Sequence, residues 1–153
     1  LYLFKNCSQK GLAYDIVEQI KDFLNSEDKL REFSDIDYII PVPEEGRRNR
    51  SDKTYSPMSV LSEIMTKTFG LKSALDILMK TRETLSQKDI KTRKQKIRNV
   101  LGAFAAQIDL KDKKILLVDD LYDSDAMNEC SQMLKQAGAS KVYALALTKT
   151  TYV

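Results

Sequence analysis

Two adjacent carboxylates, Asp119 and Asp120, are the residues of this chain best suited to chemistry. They directly follow four apolar residues, 115–118 (ILLV), and they precede a short polar segment, 123–125 (DSD). A strand with one face in water alternates apolar and polar residues, so an unbroken apolar run predicts a strand buried on both faces, as in a parallel sheet. Ligands of such sheets bind outside the carboxyl ends of the strands, where a helix N-terminus offers backbone N–H groups to an anion. The segment therefore predicts a site for a phosphate and a sugar.

The elements around this segment must bring the carboxylates to one edge of a sheet. Apolar residues recur at helical spacing after the polar segment, at Ala126, Met127, Cys130, Met133, Leu134 and Ala137. Gly138 supplies a stop for this helix, and a second apolar run over 142–147 predicts the next strand. The sequence thus predicts an α/β fold of Rossmann-like type, with a central parallel sheet flanked by helices on both faces.

The preceding chain predicts the remaining elements. Leu12, Ile16, Ile20 and Leu24 fall on one face of a helix that begins near Gly11. Ser56 and Pro57 are typical of a helix start, and this second helix is expected to run to Phe69, with Gly70 after it. Further strands are predicted over 37–42, over 75–79 with one face exposed, and over 100–108, followed by a tight polar turn over 109–113.

Residues 115–127, ILLVDDLYDSDAM, resemble the phosphoribosyl diphosphate motif of type I phosphoribosyltransferases. That motif has four apolar residues, two acidic ones and two variable ones, then a loop of Thr/Ser, Thr/Ser, Gly, any residue and Thr/Ser. The resemblance implies that Asp119 and Asp120 are the catalytic acidic pair that grips the ribose hydroxyls. It also implies that the 5′-phosphate is held by the loop residues Asp123, Ser124, Asp125, Ala126 and Met127. The cofactor it implies is Mg²⁺, only where phosphoribosyl diphosphate is bound, with no metal site of the protein itself.

The loop departs from the family pattern at three positions. Asp123 and Met127 replace hydroxyl residues, and Asp125 replaces the glycine. A full charge about 5 Å from a phosphate costs roughly 3 kcal/mol at an effective dielectric near 20, so Asp125 opposes phosphate binding. Aspartate also suits a helix N-cap, and methionine suits a core position. Both interpretations of these two residues stay open.

The resemblance extends beyond the motif. Residues 37–43 (DYIIPVP), 84–87 (TLSQ), 98–104 (RNVLGAF) and 128–150 resemble ComF-type competence phosphoribosyltransferases and the phosphoribosyltransferase domains appended to some RecQ-type DNA helicases. By position it implies diphosphate contacts at Arg47 and Arg48. It also implies a long mobile lid over 81–99, with Thr84 and Gln87 in its TxSQ motif. A solvated surface loop is the alternative for the two arginines, because residues 44–45 are glutamates that would repel a diphosphate.

Basic residues are concentrated in one segment. Residues 80–98 hold eight basic side chains against two acidic ones, a local balance of +6 that leaves −3 for the rest of a chain whose net charge is +3. The segment is either a solvated face, a loop that faces a phosphate, or a contact for nucleic acid.

Composition predicts one domain over 1–153, with a helical or hood segment over 1–34 and a core over 35–150. The chain has 153 residues, 42% hydrophobic and 31% charged, which suits one soluble globule. Cys7 and Cys130 form neither a zinc motif nor a disulfide framework, so a cytoplasmic location is expected. No apolar run reaches the length of a membrane span, so no membrane contact is expected. Because the sequence begins at Leu1, it is interpreted as a piece of a longer protein.

The combined interpretation is a phosphoribosyltransferase-like domain that binds phosphoribosyl diphosphate or a nucleotide. The reaction implied by the resemblance is transfer of the phosphoribosyl group to a nitrogen base, and the altered phosphate loop argues against turnover. The alternative is a non-catalytic nucleotide-sensing or DNA-associated interaction module, such as an accessory domain of a DNA helicase or of a DNA-uptake protein. A homodimer is a further alternative for the assembly.

Overall fold

A parallel sheet of three strands forms the centre of the fold, in the order β1–β4–β5. The computed structural model describes residues 11–26, 35–43, 56–72, 74–85, 89–122 and 125–149. The sheet strands are β1 (Tyr38–Pro41), β4 (Lys114–Tyr122) and β5 (Lys141–Lys149). A separate antiparallel pair joins β2 (Leu78–Lys80) to β3 (Phe104–Ala106). The described helices are α1 (Gly11–Leu24), α2 (Pro57–Thr68), α3 (Arg93–Val100) and α4 (Asp125–Gln136).

Strand β4 is buried on both faces, as its apolar run predicts. All four residues of that run are at most 1% exposed. Ile115 and Leu117 belong to a core cluster with α4 and the antiparallel pair, whereas Leu116 and Val118 belong to a second cluster with α1 and α2. The layers are therefore helices α1 and α2, the parallel sheet, and then α4 with β2, β3 and α3. The predicted α/β architecture with helices on both faces of a parallel sheet is confirmed.

Helices α1, α2 and α4 lie where the sequence predicts them. In α1 the predicted Ile20 and Leu24 are buried. In its first half, Ala13 and Val17 are buried and the predicted Leu12 and Ile16 are half-buried. Helix α2 is capped by Ser56, whose side-chain oxygen accepts a hydrogen bond from Ser59 N at 3.3 Å. Helix α4 ends before Gly138, which has a φ of +102°. A Cβ added at this position would lie only 3.0 Å from the Lys111 backbone.

Two predicted strands are shorter than expected. Residues 75–77 form a turn closed by a hydrogen bond from Ile77 N to Ala74 O, so only Leu78–Lys80 is extended, and the predicted alternation over 75–79 is wrong. The strand predicted over 100–108 is reduced to Phe104–Ala106, because Val100 ends α3 and Gly102 turns the chain with a φ of +68°. Apolar content alone did not mark these turns.

Part of the segment predicted as a mobile lid over 81–99 is helical, and its mobility stays a prediction. Residues 93–100 form α3, capped by Thr92, whose oxygen accepts from Gln95 N. Residues 81–85 are hydrogen-bonded to the C-terminal end of that helix. Arg82 Nη2 donates to Leu101 O at 2.7 Å, and Asn99 Oδ1 and Nδ2 bind Leu85 N and O at 2.9 and 2.8 Å. Arg82 thus caps the end of α3, and Asn99 of the helix binds the backbone of Leu85.

Candidate functional site

The carboxyl ends of the three parallel strands meet at one edge of the sheet. Pro41 of β1 is in register with Val118, and Asp119 is in register with Ala146 of β5. Val42 extends the pairing, because its N–H donates to Val118 O at 2.9 Å. We call the group formed by Val42, Asp119, Asp120 and Thr148 the carboxyl edge. This is the place where parallel α/β sheets bind their ligands.

The strand pleat turns the two carboxylates to opposite faces of the sheet. Successive side chains of a strand alternate, so Asp119 shares a face with Leu117, toward α4, and Asp120 shares a face with Val118, toward α1 and α2. Both are half-buried. Asp119 Oδ1 accepts from Asp120 N at 2.8 Å, and Asp120 O accepts from Thr148 Oγ1 at 2.7 Å. Asp119 is thus the carboxylate on the same face as the helix that follows.

Helix α4 begins at Asp125, within three residues of β4. Its first N–H groups have no partner within the helix, as at every helix start, and the helix dipole favours an anion there. Asp125 is half-buried, and Ala126 is half-buried against the core. Met127 is only 5% exposed and belongs to the core cluster, so the interpretation of Met127 as a core residue is confirmed. A ligand at this helix start would lie close to the charge of Asp125.

Several predicted site residues lie outside the part of the chain that the structure describes. They are Arg47, Arg48, Gln87, Asp123 and Ser124. Thr84 is described and half-buried, in the segment fastened to α3 by Arg82 and Asn99. The described residues that come together are therefore Asp119 and Asp120 at the carboxyl edge, with Asp125, Ala126 and Met127 at the start of α4.

Sequence reasoning missed a buried carboxylate on α4. Glu129 is 6% exposed, and its Oε1 accepts a hydrogen bond from Gly102 N at 2.7 Å. The contact joins the helix that follows the carboxyl edge to the turn between α3 and β3. A signal was present in the sequence, because Glu129 lies three residues after Ala126 and four before Met133 on the apolar stripe of α4.

Cys130 lies beside these acids and is fully buried. Burial raises the pKa of its thiol well above the ordinary range, and the negative charges of Asp119 and Glu129 raise that pKa further. A neutral thiol is a weak nucleophile, so Cys130 serves as a core residue of α4 rather than as a reactive group.

Over the described ranges, no group of three or more cysteine, aspartate or glutamate side chains could hold a metal ion. Mg²⁺ bound together with a diphosphate needs fewer protein ligands, because it keeps several waters and takes one or two carboxylates plus phosphate oxygens. A half-buried carboxylate such as Asp119 fits that role. Within the same ranges, no helix combines the length and the apolar character needed to cross a membrane.

Comparisons with known proteins add no family. No protein-family model matches the chain, and no curated protein matches it.

Proposed function

We propose that this chain binds the phosphoribosyl group of a nucleotide or of phosphoribosyl diphosphate at the carboxyl edge. The observation that carries the proposal is the position of Asp119. Asp119 directly follows the buried residues of the central parallel strand. Its side chain lies on the face of the sheet that α4 covers. A carboxylate that accepts hydrogen bonds from sugar hydroxyls would thus stand next to a helix N-terminus that donates to a phosphate. The resemblance of residues 115–127 to a phosphoribosyl diphosphate motif supports the same ligand.

In this proposal the two aspartates of the pair have different roles. Asp119 accepts from the ribose hydroxyls, and its Oδ1 is already oriented by the Asp120 N–H. The positive end of the α4 dipole and the backbone N–H of Ala126 stabilise the 5′-phosphate, while the Met127 side chain stays in the core. Asp120 faces the α1 and α2 layer and stabilises the strand end through its backbone contact with Thr148.

The proposal is for binding, with phosphoribosyl transfer as the reaction to be tested. Transfer needs water to be excluded from the reacting carbon, and a closing lid is one way to exclude it. The described residues of the segment expected to be a lid are held by Arg82 and Asn99, which favours a ligand-binding domain over an efficient transferase. If Mg²⁺ is bound with the diphosphate, it supplies neutralisation of phosphate charge, and Asp119 is the residue that would contact it.

Calorimetric titration with phosphoribosyl diphosphate and Mg²⁺, and with ribose 5-phosphate alone, tests the proposal. We expect weak binding by the natural chain, because Asp125 repels the phosphate. Asp125→Gly and Asp125→Asn should both raise the affinity, by a factor on the order of 10 to 100. The second variant keeps the bulk of the side chain, so it separates charge from steric obstruction. Glu63→Gln, at an exposed position of α2 on the opposite layer, is the control for a general change of net charge.

The neighbouring aspartates supply the sharpest comparison. In the Asp125→Asn background, Asp119→Asn should abolish the gain, whereas Asp120→Asn should leave most of it, because only Asp119 faces α4. Equal losses from both changes would contradict the assigned roles. No binding by any Asp125 variant would overturn the proposal itself. Release of diphosphate on addition of free bases measures turnover separately.

A further inference from the structure

Helix α3 presents a cationic surface that includes exposed aliphatic residues. The helix carries four basic residues and no acidic one, and Val100 is its only buried residue. Positions three and four apart share a face, so Arg93, Lys94, Ile97, Arg98 and Leu101 form one outward surface, which we call the α3 face. Ile97 is 45% exposed and Leu101 is 59% exposed. Ile97 and Leu101 lie one helical turn apart and form one apolar patch rimmed by basic residues, which is the composition of a contact surface.

Helix α1 presents the complementary surface. Its outward residues include Asp15, Glu18 and Asp22, of which Glu18 is paired with Lys21 at 3.4 Å. Phe23 is 53% exposed at the side of this acidic surface. It borders an open groove of about 380 Å³ between α1 and β5, whose other apolar walls are Ile16, Ile20, Leu145 and Leu147. We call the acidic residues together with this groove the α1 face.

The two faces lie on opposite layers of the molecule. Helix α1 packs on α2 over the Leu116 and Val118 side of the sheet, whereas α3 packs on α4 on the other side. They cannot meet within one molecule. We propose that the α3 face of one molecule binds the α1 face of a second copy, with Ile97 and Leu101 entering the apolar groove and Arg93, Lys94 and Arg98 facing Asp15 and Asp22.

The aliphatic residues favour this partner over nucleic acid. Binding of single strands relies on aromatic side chains that stack on bases, and the chain has none between Phe69 and Phe104. Phosphate contacts need only the basic residues and leave Ile97 and Leu101 without a role. An acidic helix beside an apolar groove would contact both the basic and the aliphatic residues of the α3 face. The α1 face of this same chain is such a surface.

The contact joins two different surfaces, so it is heterologous. Such contacts build rings or open chains, and each added molecule leaves one α1 face and one α3 face available. A single helix laid in a groove forms a small interface, so the association is of the weak class and is sensitive to salt. The average molar mass of the protein in solution should increase with protein concentration and decrease with added salt.

Sedimentation equilibrium on the full chain and on two sets of variants tests the proposal. The first set, Ile97→Ser with Leu101→Ser, removes the apolar part of the α3 face and keeps its charge. The second, Asp22→Lys with Phe23→Ser, alters the α1 face. Every substituted residue is exposed, and circular dichroism with thermal unfolding checks that each variant is folded. Each variant alone should associate at least about tenfold more weakly than the natural chain.

Mixing the two variants gives the decisive result. Each retains one intact face, and the two intact faces are complementary, so the mixture should form a one-to-one dimer that does not grow further. A natural chain that remains monomeric at low salt and high concentration would overturn the proposal. A mixture that remains monomeric while the natural chain associates would also overturn it, since another surface must then be used. Binding of a short DNA duplex that Lys94→Gln with Arg98→Gln abolishes and Ile97→Ser with Leu101→Ser leaves intact, without self-association, would assign the α3 face to nucleic acid instead.

Discussion

At the scale of single residues, Glu129 is the most informative side chain of the described structure. A carboxylate that is 6% exposed loses most of its hydration, and its hydrogen bond from Gly102 N offsets part of that cost. Gly102 holds a left-handed conformation, with a φ of +68°, which few other residues adopt without strain. The two residues thus fix the turn that carries the chain from α3 into β3.

Removal of the Glu129 carboxylate should destabilise the fold. We expect Glu129→Ala to lower the free energy of unfolding by about 2 kcal/mol, because the Gly102 N–H loses its acceptor. In a domain of this size that corresponds to a decrease in Tm of about 4–8 °C. Glu129→Gln keeps an acceptor oxygen and should cost less than half as much. Gln132→Ala, at an exposed position of the same helix, is the control and should have little effect. Equal costs for the Ala and Gln variants would show that the negative charge of Glu129, rather than a neutral acceptor oxygen, is what matters.

At the scale of elements, the end of α3 is capped by the side chain of Arg82, which belongs to a segment that precedes the helix in the sequence. Arg82 donates to the carbonyl groups of Asn99 and Leu101, and Asn99 in turn binds both backbone groups of Leu85. The last carbonyls of a helix have no partner within it, so an arginine fork is well suited to satisfy them. Helix α3 and residues 81–85 therefore behave as one unit.

Asn99→Ala should remove the hydrogen bonds that join Leu85 to α3. The amide of Leu85 loses its acceptor, so we expect its hydrogen exchange to become about tenfold faster, while exchange in β4 stays unchanged. Gln95→Ala on the same helix should leave Leu85 unaffected. Exchange at Leu85 in the natural chain as fast as in an unfolded peptide would instead support the prediction of a mobile lid.

At the scale of the whole molecule, β4 connects two hydrophobic clusters, one on each face of the sheet. The N-terminal ends of β1 and β4 are joined by a polar contact at the opposite edge from the candidate site. Asp37 Oδ2 accepts from Lys114 N at 2.8 Å, and its Oδ1 is 3.0 Å from Lys113 Nζ. The backbone hydrogen bond from Lys114 lowers the pKa of the Asp37 carboxyl, and the contact with Lys113 lowers it further against the effect of burial.

This pKa shift makes the contact dependent on pH. A carboxyl whose pKa is lower in the folded state stabilises the fold above its unfolded pKa of about 3.9, and this contribution is lost as the pH falls through the folded value. We therefore expect Asp37→Asn to reduce the free energy of unfolding by about 1 kcal/mol at neutral pH, and to have little effect in strong acid. Urea unfolding at both pH values measures the difference. Glu63→Gln, at an exposed position of α2, is the control, and a loss from Asp37→Asn that is the same at both pH values would argue against a role for the charge.

The strongest elements could be predicted because their sequence patterns report burial over neighbouring residues. The unbroken run at 115–118, the stripe of α4 and the capping residue Ser56 each describe contacts made within a few positions of the chain. Helix α3 was not predicted, since only Val100 is buried and a charged segment has no apolar period; its local signal was the cap Thr92, three residues before Gln95. The helix packs against α4, and Arg82 binds the carbonyl groups at its end.

For the candidate site, the sequence alone determined the type and order of the groups: an acidic pair at a strand end and a helix directly after it. The tertiary structure decided their orientation and their neighbours. Asp119 faces α4 because the strand is central in the sheet and is covered on both sides, and Met127 faces the core because α4 packs on that same side. Glu129 meets Gly102 across 27 residues, and Asp37 meets Lys114 across 77. Contacts between such distant residues leave no period in the local sequence, because they depend on how the layers stack rather than on which residues are adjacent.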